Sequence, residues 1–249
     1  MSHSRSHASA PREPDLPPYQ VVLAETDWGS LQTAFGSGED LPKILTHLLE
    51  PDPKVQVTTL WELGELVGHQ NTIYKATARA AVMYVASILT HPAAMTRRPY
   101  RDRPIRATLL GWLASRLHDA SDEVVARNEE YFPGFLTRDT AVAAFRDLRP
   151  MLYRAVAPFL HDSHEDVREP AAIAALHLAE HPALTGHRAH LAGHARHILD
   201  TSSYEPNRRV TWRALEAWGH HPPGPEPLSG EAEDWEPHSD GRGDLEPPF

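Results

Sequence analysis

Phe159-Leu160-His161-Asp162-Ser163-His164-Glu165-Asp166-Val167-Arg168 is followed by Ala171, Ala172, Ala175 and Leu176. The stretch reads as the end of one helix, a turn and the start of the next. The apolar pair Phe159-Leu160 closes the first helix. Asp162 offers a carboxylate to cap the second. Val167 starts an inward stripe, and the alanines let neighbouring helices approach closely. Pro170 falls within the first turn or two, where its missing N–H is tolerated. The arrangement recurs at Leu48-Leu49-Glu50-Pro51-Asp52-Pro53-Lys54-Val55, running on to Leu60 and Leu63. A weaker third copy sits at Arg209-Val210, Ala214-Leu215 and Trp218. Recurrence of one helix–turn–helix unit is the mark of a repeat architecture.

Outward from this stretch, helical spacing continues. WGSLQTAFG reads as a short helix from Trp28 stopped by Gly36. Asp40 and Pro42 open LPKILTHLLE, and Pro51-Asp52-Pro53 forces a turn. Val57, Leu60, Trp61 and Leu63 form an apolar stripe. TIYKATARAAVMYVASILTH and PIRATLLGWLASRLHD follow as apolar helices. Thr137 or Asp139 opens a segment that Pro150 and Pro158 should kink or split. Three further helical segments end near residue 219, and no strand is expected. Trp112, Trp212 and Trp218, like Trp61, are expected in the core.

These features together resemble the HEAT repeat family, including the HEAT-like repeats named after phycobilisome lyases, over residues 27 to 220. The resemblance implies an all-α fold, an α-α superhelix in which antiparallel helix pairs stack into a solenoid. A narrower likeness lies in Trp28-x-x-Leu31-x-x-Ala34-Phe35-Gly36, then Asp40-Leu41-Pro42, then His69-Gln70-Asn71-Thr72-Ile73-Tyr74-Lys75-Ala76-Thr77 and an alanine-rich helix. It is similar to a bacterial HEAT-repeat group with W-x-x-L-x-x-A-[YF]-G and H-Q-x-T-[VI]-Y-x-A-T signatures. Arg79-Ala80-Ala81 departs from the Ala-Pro that members often carry there. The group is associated with polymorphic-toxin loci, so the resemblance implies an immunity protein. Trp28, Gly36, His69, Gln70, Thr72, Tyr74 and Thr77 are its structural signature.

Composition bounds the rest. The chain has 249 residues, 41% hydrophobic and 23% charged, enough to bury a substantial core. Residues 1–18 are polar and proline-bearing and read as a disordered arm, 19–221 as the repeat domain, and 222–249 as a disordered acidic tail. Eight acids after Pro225 face one cation, Arg242, so the tail holds −7 of the net charge of −10. A partner motif around Trp235 is the rival reading of that tail. The acidic balance disfavours nucleic acid and suits a basic protein such as a toxin domain. With no cysteine, disulfides and cysteine-based zinc sites are excluded. No secretory signal or membrane span is legible, which leads to the expectation of a cytoplasmic protein.

Three groups of residues compete for function. GHQNTIYKAT, residues 68–77, offers His69 as a base with Thr72 or Tyr74 as its partner. The structural reading makes Gly68 a left-handed cap and has His69 and Gln70 satisfy loop carbonyls. Asn71 or Thr72 then caps the next helix, Ile73 and Ala76 pack, and Tyr74 and Thr77 bond a neighbouring repeat. On this reading His69→Ala lowers the melting temperature more than any activity. His187, His190, His194 and His197 share one helix face at spacings that can chelate zinc or nickel. No acid lies on that stripe, so it reads as a polar helix surface and no metal site is expected. The connections 91–103, with Arg97, Arg98, Tyr100 and Arg101, and 121–137, with Glu129, Glu130, Tyr131, Phe132 and Phe135, break the repeat rhythm. They carry the residue types that anchor interfaces, although the phenylalanines could instead tuck into the core and the arginines pair locally. No phosphate loop, nucleophile elbow or H-E-x-x-H motif is present. The expectation is a non-enzymatic binding protein with no cofactor, as immunity protein or general adaptor. A HEAT-like DNA glycosylase, which needs a basic concave face, is the enzymatic alternative.

Overall fold

A computed structural model describes residues 15–77, 81–98, 102–224 and 226–227. The fold is all-α. Its helices are α1 (Tyr19–Glu25), α2 (Leu41–Thr46), α3 (Pro53–Gly68), α4 (Val82–Ser87), α5 (Ile105–Asp119), α6 (Asp122–Tyr131), α7 (Phe135–Arg138), α8 (Thr140–Arg146), α9 (Arg149–Val156), α10 (Glu165–Leu178), α11 (Arg188–Thr201) and α12 (Glu205–Ala217). The arm before residue 15 and the tail from 228, with Trp235, lie outside the described residues. Within the expected tail, Gly224 and Glu226 fold back onto α12. Trp212 donates to the Gly224 carbonyl at 3.4 Å, and the Glu226 carboxylate pairs with Arg209 and Arg213.

Local chemistry sets the helix ends. Asp52 accepts from the Lys54 N–H at 2.8 Å, with Pro53 at the first position of α3. Ser121 caps α6 by accepting from Val124, and Asp139 caps α8 by accepting from Ala141 and Val142. Pro150 and Pro158 break the 140–161 segment into α8, α9 and a 3-10 turn (Ala157–His161), as their missing N–H groups require.

The longer helices arrange by contact. α3 packs on α5, α5 chiefly on α10, and α10 on α12. Alongside, α1 packs on α4, α4 on α9, and α11 covers α10 and α12. One apolar core runs from Val22 to Leu215. The close α5–α10 contact is made by small residues, with Ala107, Ala171, Ala174 and Ala175 fully buried. Leu60, Leu63 and Trp112 are also fully buried, and truncating such a side chain costs about 2–5 kcal/mol.

Polar side chains tie the helices together. Gln56 is buried, and its amide donates to the carbonyls of Leu48 and Ala93, both at 3.0 Å. Arg106 on α5 donates to the Leu89 carbonyl at 2.7 Å, pairs with Asp162 at 3.2 Å and lies over the Phe159 ring. The 91–94 and 181–184 turns are built alike. In each, a His before a Pro accepts through Nδ1 from the N–H two residues on, at 3.1 Å.

Several expectations are corrected. α1 precedes the segment where helix was anticipated. WGSLQTAFG is a 3-10 turn (Trp28–Ser30) followed by a two-stranded hairpin, β1 (Gln32–Thr33) and β2 (Gly36–Ser37). The hairpin forms because Thr33 Oγ1 donates to the Gly36 carbonyl and the Ala34 N–H reaches Leu66 of α3. Gly36, at φ +139°, turns a hairpin rather than stopping a helix. Residues 121–137 are mostly helix, not a long loop. Trp61 is 52% exposed, because it lies about 100° around α3 from Leu60. The Asp162 carboxylate caps its own turn, accepting from the His164 N–H at 2.9 Å, and caps no N–H of α10, although the Asp162 carbonyl accepts from the Arg168 side chain at 3.0 Å.

Candidate functional site

The 68–77 segment is a structural joint. Gly68 is not left-handed (φ −146°); Gln70 and Asn71 take that role at φ 52° and 57°. Gly68 is required for another reason: Arg116 of α5 donates to its carbonyl at 2.9 Å and fills the space where a side chain would sit. Thr77 is buried; its hydroxyl donates to the Val67 carbonyl and accepts the Tyr74 N–H at 2.8 Å. It thus locks the end of α3 to the segment that follows it, a bond within the joint rather than the bond to a neighbouring repeat that was expected. Ile73 and Ala76 are buried as expected. Thr72 is exposed and makes no helix cap; its hydroxyl reaches only the Gln70 carbonyl at 3.5 Å. His69 meets Glu65 at 3.2 Å and the Phe35 ring at 5.2 Å between centroids, rather than Thr72 or Tyr74. Trp28 is buried and donates to the Leu23 carbonyl, anchoring the end of α1.

The two connections differ. Arg97 pairs with Asp102 at 2.7 Å and reaches His164 at 2.9 Å. The Arg98 N–H donates to Arg103 within a closed loop. Tyr100 and Arg101 lie outside the described residues. At the end of α6, Tyr131 and Phe132 are 73% and 59% exposed. The bend beneath them is rigid. Glu129 accepts from the N–H groups of Gly134 at 2.8 Å and Leu136 at 3.1 Å, while Gly134 is left-handed at φ +79°. Those N–H groups hold the Glu129 carboxyl below the usual range. Phe135 turns inward onto the core, and Glu130 stays exposed.

The histidine stripe divides. His187 packs against Tyr153 (4.4 Å between centroids), and His197 is exposed. His190 and His194 on α11 meet His161 from the turn before α10. Ring centroids are 5.0–5.4 Å apart, and His190 Nε2 to His194 Nε2 is 3.4 Å. The three border a depression of about 390 Å³ that Gly193, Glu165 and Glu169 also line. Burial, then the charges of His190, His161 and His197, lower the His194 pKa.

A buried polar cluster closes the ends of α5 and α10. Arg149 is almost fully buried and donates to the Ala120 carbonyl and to Glu180, both at 2.8 Å. Arg116 meets Asp119 at 3.1 Å. Burial, opposed by Arg116 and His177, pushes Asp119 up to about 6. The His118 ring reaches solvent at one edge, but the crowding of its other side, then the charge of His177, push it down to about 4. Buried ion pairs that join helices are common structural devices, and this cluster is read as one.

Compared with protein-family models, curated proteins and solved structures, the chain finds no match. The site residues are therefore argued from geometry. Sequence reasoning did not anticipate three of them. His161 lies 29 residues before His190, and only the packing of α10 on α11 unites them. Phe35, part of the Trp28–Gly36 motif, and Trp61, part of the apolar stripe of α3, are 67% and 52% exposed. The paired turns at His91 and His181 had a visible signal, the repeated His-Pro-Ala.

Proposed function

We propose that the chain is a non-enzymatic, protein-binding helical-repeat protein, whose helix rows stack as a HEAT-like solenoid. Its docking element is the aromatic knuckle at the end of α6. The exposure of Tyr131 and Phe132 on a bend fixed by Glu129 carries this reading. Two adjacent aromatic rings held in water lose little conformational freedom on docking and gain their full burial. Such rings on rigid supports are the usual anchors of interfaces. The partner best suited is a basic protein, given the net charge of −10.

The resemblance of the Trp28–Gly36 and His69–Thr77 motifs to HEAT-repeat proteins of toxin loci supports the specific form: an immunity protein that neutralises a toxin by direct binding. A general adaptor is the second form. The experiment is co-expression with a toxin encoded beside this chain's gene. Protection that is lost in Tyr131→Ala/Phe132→Ala supports the specific form. Binding of the encoded neighbour without protection leaves the adaptor. Absence of both overturns the proposal.

A further inference from the structure

We infer that His161, His190 and His194 form a binding site for one divalent transition-metal ion, with zinc as the reference metal. A zinc ion holds imidazole nitrogens at about 2.0–2.1 Å in a tetrahedron, which separates any two of them by roughly 3.3–3.4 Å. His190 Nε2 and His194 Nε2 are 3.4 Å apart, the edge of such a tetrahedron. They reach this distance because they stand four residues apart on α11 and so project from one face. His161 supplies a third nitrogen, and the three ligand atoms all lie within 4.8 Å of one another. His161 is exposed, so rotation of its ring closes the remaining gap.

The cluster is poorly explained without a cation. Only the His190–His194 pair lies within hydrogen-bond distance, at 3.4 Å, so an N–H···N bond accounts for at most two of the three rings. All three offer a ring nitrogen to the same small volume. No carboxylate is needed as a ligand, since three neutral imidazoles suffice for zinc. Of the two acids that line the depression, Glu169 is engaged through Oε1, which accepts from Ser202 at 2.7 Å and Asn207 at 2.8 Å. Gly193 leaves the face beside the histidines uncovered, so the fourth position opens to the depression and takes water. Imidazole donors favour zinc, copper and nickel over magnesium or calcium.

The ion would also be a clamp. His161 sits in the Ala157–His161 turn and the other two ligands on α11, so a bound metal cross-links the two sides of α10. Metal that binds only the folded form raises its melting temperature in proportion to the logarithm of its concentration.

The test uses the full chain, stripped with a chelator and titrated with zinc chloride by calorimetry, and in parallel with cobalt chloride by visible absorption. One equivalent of zinc should bind, cobalt should give the intense absorption of a four-coordinate ion, and zinc should raise the melting temperature. His161→Asn and His190→Asn/His194→Asn should each weaken binding by more than the roughly 10–100-fold typical of outer-shell changes. Both should also abolish the thermal shift. His187→Asn, whose ring packs on Tyr153, and His3→Ala/His7→Ala should bind as the parent does. Circular dichroism of the metal-free variants reports whether they fold; a variant that does not fold is replaced by His161→Gln or His194→Gln. Zinc affinity unchanged in His161→Asn, binding lost in His3→Ala/His7→Ala, or no binding by the parent chain would each overturn the site.

Discussion

The guanidinium of Arg116 occupies the space that a side chain on Gly68 would fill: a Cβ there would lie 1.4 Å from Arg116 Nη1. The same group donates to the Gly68 carbonyl at 2.9 Å and meets Asp119 at 3.1 Å. One contact thus joins the end of α3 to the end of α5. Gly68→Ala should displace the arginine and strand a buried charge, at a cost of about 3–5 kcal/mol. Urea denaturation measures it. A loss under 1 kcal/mol would show that Arg116 relocates freely.

Asp119 and His118 pull the pH dependence of stability in opposite directions. Asp119 has its folded pKa raised to about 6 from 3.8. The folded state therefore holds that proton more tightly, and the associated stability, full below about 4, is lost as pH rises through 6. His118 has its folded pKa lowered to about 4 from 6.5. Its contribution is full above 6.5 and is lost as pH falls toward 4. The stability of Asp119→Asn relative to the parent should improve between pH 4 and pH 7.5 by about 2–3 kcal/mol. His118→Gln should improve relative to the parent in the other direction, on acidification. Denaturant midpoints across this range decide it, and differences that stay flat with pH would refute both assignments.

Local chemistry explains which parts of this fold the sequence reveals. α3, α5 and α10 are legible because their apolar residues recur at helical spacing and their ends carry Pro, Asp or Gly. α6 hides inside the 121–137 connection because only Val125 of its residues is buried, so it has almost no apolar stripe. Its capping serine, Ser121, was the available signal. The hairpin at 32–37 depends on Ala34 bonding to Leu66, a contact 32 residues distant that no local pattern encodes. In the same way, the spacing of His190 and His194 is visible on one helix, but His161 joins them only through packing. The knuckle was half legible: Tyr131 and Phe132 are exposed as an interface reading requires, whereas Phe135 is turned to the core and Glu129 serves the backbone.

Within the 68–77 joint, the burden falls on Thr77 and not on His69. Thr77→Val removes two hydrogen bonds from a fully buried hydroxyl, and should cost about 1–3 kcal/mol. His69→Ala removes a solvent-exposed pair with Glu65, worth about 0–1 kcal/mol. Thermal melts of the two variants should therefore rank Thr77→Val well below His69→Ala. The reverse order would restore His69 as the key residue.

Glu129 acts on the knuckle through the backbone. Glu129→Ala removes the acceptor of the Gly134 and Leu136 N–H groups, so both should lose protection from hydrogen exchange. Exchange at Leu60 and Leu63 in the core of α3 should not change. Equal protection in the variant would mean that the bend is held without the carboxylate.

Binding of a protein partner by the Tyr131–Phe132 knuckle is tested by calorimetric titration of the product of a toxin gene beside this chain's own, in a catalytically inactivated form, into the parent chain and into Tyr131→Ala/Phe132→Ala. A one-to-one complex should form with the parent, and the variant should bind more weakly by at least about 2 kcal/mol, roughly thirtyfold, with an unchanged circular dichroism spectrum. Equal affinity in the two proteins would contradict it.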